Sequence, residues 1–160
     1  VAKLANIVLA LGILAAPAPV AAETLTLNRV KALLGEMGFK PTRPRDGVLT
    51  LEGQGTHKAD LNFTLAKDDT ALTIYKSWAI PGDKQTLVPG VAMLKANNGY
   101  PFAFAIYGEP GQLAFDLEKT VDGGLVSKTM LRKSIDQIIE MIDSNEEIWN
   151  TDNWPIKAKP

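Results

Sequence analysis

Residues 61–78 read Leu61-Asn62-Phe63-Thr64-Leu65-Ala66-Lys67-Asp68-Asp69-Thr70-Ala71-Leu72-Thr73-Ile74-Tyr75-Lys76-Ser77-Trp78. Leu61, Phe63 and Leu65 alternate with Asn62 and Thr64, the period of two of a half-buried strand. Lys67-Asp68-Asp69 makes a tight polar turn. Leu72, Ile74 and Trp78 then line one face of a returning strand, with Thr73, Tyr75 and Ser77 on the other. Two strands joined this briefly run antiparallel. The same logic extends upstream. Asp46-Gly47 is a turn signal, Val48–Gly53 reads as a strand, and Gln54–Lys58 is the loop between it and Leu61. Three strands with short connectors form an antiparallel meander.

On either side of this meander the period changes. Leu27, Val30, Leu33, Leu34 and Met37 fall at helical offsets, with Thr26 placed to cap the start and Gly38 to stop the end. The basic segment Lys40-Pro41-Thr42-Arg43-Pro44-Arg45 holds two prolines and reads as an extended connector. Downstream, Ile80-Pro81-Gly82-Asp83 ends the third strand. Val88–Asn98 reads as a short helix, with Pro89 near its first turn. Phe102, Phe104 and Ile106 alternate with alanines, the pattern of a strand buried on both faces. Gly108-Glu109-Pro110-Gly111 turns the chain into Leu113, Phe115 and Leu117, so a second hairpin forms. After the Val121–Gly124 loop, Ser127 caps a final helix. Its Leu131, Ile135, Ile138, Ile139 and Ile142 make the strongest amphipathic stripe in the chain.

The predicted order is α-β-β-β-α-β-β-α. It implies an α+β fold: one antiparallel five-stranded sheet with helices packed on one face. The division is residues 1–22, a single domain over 23–150, and a loose C-terminal tail over 151–160. Residues 1–22 carry one cation, Lys3, then an apolar run from Leu4 to Ala16, two prolines and Val20-Ala21-Ala22. That layout predicts a secretory signal peptide cleaved after Ala22, hence a periplasmic or secreted protein. A thirteen-residue helix rises only about 20 Å against about 30 Å of hydrocarbon, so no stable membrane anchor is expected after cleavage.

Composition narrows the function. The 160 residues hold 17 Lys and Arg against 18 Asp and Glu, one His and no Cys. A missing cysteine excludes disulfides, thiolate nucleophiles and iron–sulfur clusters. A charge near zero argues against nucleic acid as a partner. His57 lies in a Gly/Lys-rich loop without the further ligands that a metal site needs, and reads as an ordinary exposed histidine. Asp116 and Glu118 share a strand face about 7 Å apart. They could be a catalytic carboxylate pair, but a solvated sheet face is the commoner origin of that pattern. Asp68-Asp69 and Asp122 lack the alternating oxygen ligands of a calcium loop, and Gly53-Gln54-Gly55 lacks the third glycine and the helix of a dinucleotide site. No catalytic, metal-binding or cofactor-binding residues are assigned. Tyr75, Trp78, Trp149 and Trp154 are the candidate partner-binding residues. Exposed near a sheet edge, they would anchor a peptide; folded back, Trp149 would cap the core.

The segments Leu94–Phe104, LKANNGYPFAF, and Gly123–Asn150, GGLVSKTMLRKSIDQIIEMIDSNEEIWN, resemble the YbjN-like family of candidate bacterial sensory transduction regulators. The shared features are an Asn-rich helix end, a strand of small and aromatic residues, a hairpin, a Gly-containing loop and an Ile-rich closing helix. The opening helix ending at Met37-Gly38-Phe39 also fits, so the resemblance spans about Leu25–Trp149. It implies a fold like that of type III secretion chaperones, α+β sandwiches that often dimerise and bind extended segments of partners. It implies no catalytic residues and no cofactor. Many family members lack an export signal, which sets this chain apart. The expected function is therefore a non-enzymatic, exported, chaperone-like binding or regulatory protein. Its expected partner is a protein or peptide, with a second copy of the chain as a candidate. The alternatives are a small periplasmic hydrolase using acidic residues and an envelope structural protein.

Overall fold

The structure, a computed structural model, describes residues 24–98, 101–109 and 111–154. The predicted signal peptide and the last six residues lie outside these. The chain opens with helix α1 (Leu27–Glu36). Strands β1 (Thr42–Arg45), β2 (Val48–Gln54), β3 (Ala59–Leu65) and β4 (Ala71–Ala79) follow. A 3-10 turn over Gly82–Leu87 leads to α2 (Gly90–Asn97), then β5 (Ala103–Tyr107) and β6 (Ala114–Asp122). Helices α3 (Lys128–Ser144) and α4 (Glu146–Trp149) close the chain. Among the described residues no helix is long and apolar enough to cross a membrane.

The class is α+β with an antiparallel sheet, but the sheet has six strands rather than five, in the order β1-β2-β3-β4-β6-β5. The additional strand is the expected connector. Asp46-Gly47 closes a tight hairpin, with Gly47 at φ +75°, a region open to glycine. Arg45 thereby falls opposite Val48 and Thr42 opposite Thr50, with an irregularity between the two pairs. Pro44 is tolerated because β1 is an edge strand, where a missing N–H can face outward. The helices also differ from the expected set, since α4 and several short 3-10 turns join them.

Strand β6 inserts between β4 and β5. It pairs with β4 over nine consecutive positions, from Ala71 opposite Asp122 to Ala79 opposite Ala114. On its other side it pairs with β5, from Ala103 opposite Glu118 to Tyr107 opposite Ala114. Strands β4 and β5 thus run parallel, which is why the long α2 crossover separates them.

The sheet buries one face. Leu49, Leu51, Leu61, Phe63, Leu72, Ile74, Phe115 and Leu117 meet Val30 and Leu34 of α1 and Leu131, Ile135, Ile138, Met141 and Ile142 of α3 in a single core. The caps hold as the sequence predicts: Thr26 Oγ1 accepts from the Arg29 N–H at 3.1 Å, and Ser127 Oγ accepts from the Met130 N–H at 3.3 Å. Gly38, at φ +87°, ends α1 and lets the Phe39 N–H reach back to Leu34 O at 3.1 Å. Arg132 ties this end to α3 by donating to Met37 O at 3.1 Å while its guanidinium lies 4.6 Å from the Phe39 ring centre.

The opposite face is polar. Thr50 donates to Asn62 Oδ1 at 2.8 Å, the Thr73 and Thr120 hydroxyls meet at 3.1 Å, and Tyr107 donates to Glu118 Oε1 at 2.6 Å. These cross-strand bonds satisfy the side chains without a covering helix.

Candidate functional site

The predicted partner-binding residues do not form one surface. Trp78 extends from β4 on the covered face and is sandwiched between Phe115, at 5.1 Å, and Trp149, at 5.6 Å, both nearly parallel. Trp149 donates its indole N–H to Ile142 O at 2.7 Å, and His57 meets its ring edge-on at 4.9 Å. Trp154 is only 3% exposed and donates to Ile148 O at 2.9 Å. The first part of the expected loose tail is therefore ordered. Thr151–Asn153 forms a 3-10 turn, Lys84 Nζ donates to Thr151 O at 2.8 Å, and Trp154 enters the core as no exposed anchor could. The driving force is burial of the Trp154 indole, with the half-buried Trp149 packed on Trp78. Tyr75 stands apart on the polar face, where its hydroxyl accepts from Arg45 at 3.4 Å.

The carboxylates also separate by role. Asp116 and Glu118 lie on the open polar face, and Asp122 sits at the end of β6, where its side chain accepts from the Gly124 N–H at 2.8 Å. Burial raises the Asp116 carboxyl above its usual range, a Ser77 hydrogen bond opposes this, and the Glu118 charge adds to it. The hydrogen bond to Glu118 keeps the proton on Tyr107, whose phenol is pushed up to about 12. Among the described residues no group of three His, Asp or Glu side chains could hold a metal ion. His57 lies 3.8 Å from Asp143.

The surface that stands out is at the β5 edge. The alternation of Phe102–Ile106 predicts a strand buried on both faces, but β5 is the last strand of the sheet, and Ile106 and Tyr107 are 43% and 47% exposed. Beside them α2 leaves Val91 71% and Leu94 68% exposed while burying Met93 and Ala96. A cleft of about 490 Å³ runs between the two elements, lined by Gly90, Val91, Met93, Leu94, Asn97, Phe104 and Ile106, with no charged residue among them. Asn97 fastens helix to strand: its amide donates to Phe104 O at 3.0 Å, and its Oδ1 accepts from the Phe104 N–H at 2.7 Å. The side chain thus stands in for a neighbouring strand at one position. Ile106, two residues on, points its N–H and C=O to the same side, and no described residue meets them. Sequence reasoning missed this surface. Its available signal was that Val91, Met93 and Leu94 of α2 cannot all share one helix face, and an apolar residue left outward on a short surface helix marks a second contact.

The fold is YbjN-like and chaperone-like. The chain is similar over 79% of its length to 96% of YbjN from E. coli, described as a candidate transcription regulator, with a TM-score of 0.58 and 14% identity. It is similar over 76% of its length to 92% of a chain of the HopA1–SchA chaperone–effector complex, with a TM-score of 0.56 and 10% identity. A chain in the structure of the Yersinia pestis type III secretion chaperone SycH with a fragment of YscM2 matches with a TM-score of 0.50 and 11% identity, over 73% of this chain and 96% of that one. No family model and no curated protein matches the sequence.

Proposed function

We propose that the chain is an exported, chaperone-like binding protein that works as a pair of copies joined through the α2–β5 edge and recognises a protein partner. The observation that carries this reading is the uncharged cleft with its free strand edge. Unpaired backbone groups at a sheet edge recruit another strand. A second copy is the occupant the edge suits best. A two-fold axis sets β5 antiparallel to its own copy, and a surface without charge meets itself without repulsion. The shared fold with a chain of a chaperone–effector complex supports a protein partner, and the Lys3–Ala22 layout supports export.

Light scattering on the purified chain tests the pairing. A mass of two chains that falls to one on Leu94→Glu supports it; a wild-type mass of one chain at micromolar concentration overturns it. N-terminal sequencing of the protein recovered from its host tests export, with Glu23 as the expected first residue.

A further inference from the structure

The large apolar side chains left exposed are not scattered. Among the described residues they are Val91, Leu94, Ile106 and Tyr107 at the α2–β5 edge, and Leu125 in the 3-10 turn Gly123–Leu125. Leu125 follows Gly124, and Gly124 lies where the described chain begins. Thr24 and Leu25 line one recess with Asp122, Gly123 and Gly124, and the Leu25 side chain packs against Gly123. Phe104, on the wall of the α2–β5 cleft, pairs with Leu117, five residues before Asp122 on β6. Five residues of strand run about 17 Å and one strand spacing adds about 5 Å across, so the entering chain lies about 18 Å from the near end of the cleft.

The residues upstream have the chemistry to fill that cleft. Residues 4–16 carry no charge and include Ile7, Val8, Leu9, Leu11, Ile13 and Leu14. The cleft holds about 490 Å³ and has no charged residue in its lining. Residues 17–23 separate the apolar run from Thr24. Seven residues span at most about 23–25 Å, which covers the distance of about 18 Å. A tether this short presents the run to the cleft at a local concentration on the order of 1 mM, about 100-fold above a second copy at about 10 μM. Burial of apolar surface then favours the chain's own segment over the second copy.

We infer that, before processing, the apolar run of residues 4–16 occupies the α2–β5 cleft of its own chain and blocks pairing, and that cleavage after Ala22 frees the edge. The inference rests on the pairing and export proposed above, and makes the pair a property of the processed chain. One cut thereby couples assembly to export.

Light scattering on residues 1–160 and on residues 23–160, at equal concentration, tests it. Residues 23–160 keep every described residue. The expected result is the mass of one chain for the first and of two chains for the second. A full chain of two copies or more overturns the inference; with residues 23–160 also paired, the pairing reading stands. A single mass for residues 23–160 overturns the pairing reading, and crosslinking then judges the inference alone. The chain has no cysteine, so Leu94→Cys can be combined in turn with Leu9→Cys, Leu11→Cys and Ile13→Cys. Mild oxidation of the full chain should close a disulfide within one chain in at least one combination, because two cysteines bridge only where their Cα atoms come within about 7 Å. Thr42→Cys, on the opposite edge of the sheet, should give none with the same partners. No intrachain disulfide at Leu94, or an equal yield at Thr42, overturns the inference.

Discussion

The sheet ends in two edges built on opposite principles. At one end β1 is fully exposed and reads Thr42-Arg43-Pro44-Arg45: two cations and a proline in four residues. Arg43 donates to Asn28 Oδ1 at 3.1 Å and Arg45 reaches Tyr75, so the guanidiniums are spread along the strand as guards. Charge and proline are the standard means of keeping a free edge from pairing. At the other end β5 reads Ala103-Phe104-Ala105-Ile106-Tyr107, without charge or proline, beside a helix that turns Val91 and Leu94 outward. One edge is defended and the other is left open. The difference teaches that the apolar exposure at β5 is local and specific, as expected of an interaction surface.

The largest expected effect comes from giving β5 the defences of β1. Ile106→Lys with Leu94→Glu should weaken self-association at least about 100-fold, read by light scattering across a dilution series, because a paired edge would then bury charges. The monomer's own stability should change by about 1 kcal/mol or less, since Leu94 is 68% exposed and Ile106, although it lines the cleft, is 43% exposed. Unchanged association would show that the pair forms elsewhere.

Next in size is the Asn97 clamp. Asn97→Ala leaves the Phe104 N–H and C=O without their partner and should cost about 2 kcal/mol in urea unfolding. It also lengthens the open edge by one residue. A neutral result would mean that water replaces the amide and that α2 is held by packing alone.

The reciprocal change strips β1. Arg43→Thr, Pro44→Val and Arg45→Thr together should leave folding within about 1 kcal/mol but make the chain aggregate with time at high concentration, seen as rising scattered light. A triple variant that stays monodisperse would show that the guards are dispensable and that β5 alone carries no special meaning.

The smallest effect lies on the polar face between the edges. The raised Asp116 carboxyl means that the folded chain holds this proton more tightly than the unfolded chain does. Ionising it therefore costs stability as the pH rises through the folded-state value. Asp116→Asn should melt above the wild type at pH 7, and the two should converge below the unfolded-state value of 3.8. A gap that persists at pH 3 would assign the effect to something other than this proton.

The sequence by itself determined the elements whose signals are local. The α1 and α3 stripes, their Thr26 and Ser127 caps, the Gly38 stop and the alternation of β3, β4 and β6 all depend on residues a few positions apart. Each was readable as a period of 3.6 or of two. The tertiary structure alone decided where those elements lie. β1 has no apolar alternation, and it becomes a strand only because the Asp46-Gly47 turn returns the chain alongside it. The alternation of Phe102–Ile106 cannot show whether a strand lies inside a sheet or at its rim. That was decided by the nine-position ladder between β4 and β6, which excludes β5 from the interior. The tryptophans present the same problem: Trp154 is polar in its sequence surroundings and buried in space. Trp149 covers Trp78 from a segment 71 residues away. Local torsional preference writes itself into neighbouring residues. Edge, interior and burial are set by hydrogen bonds and contacts between distant ones, so they exist only once the chain has folded.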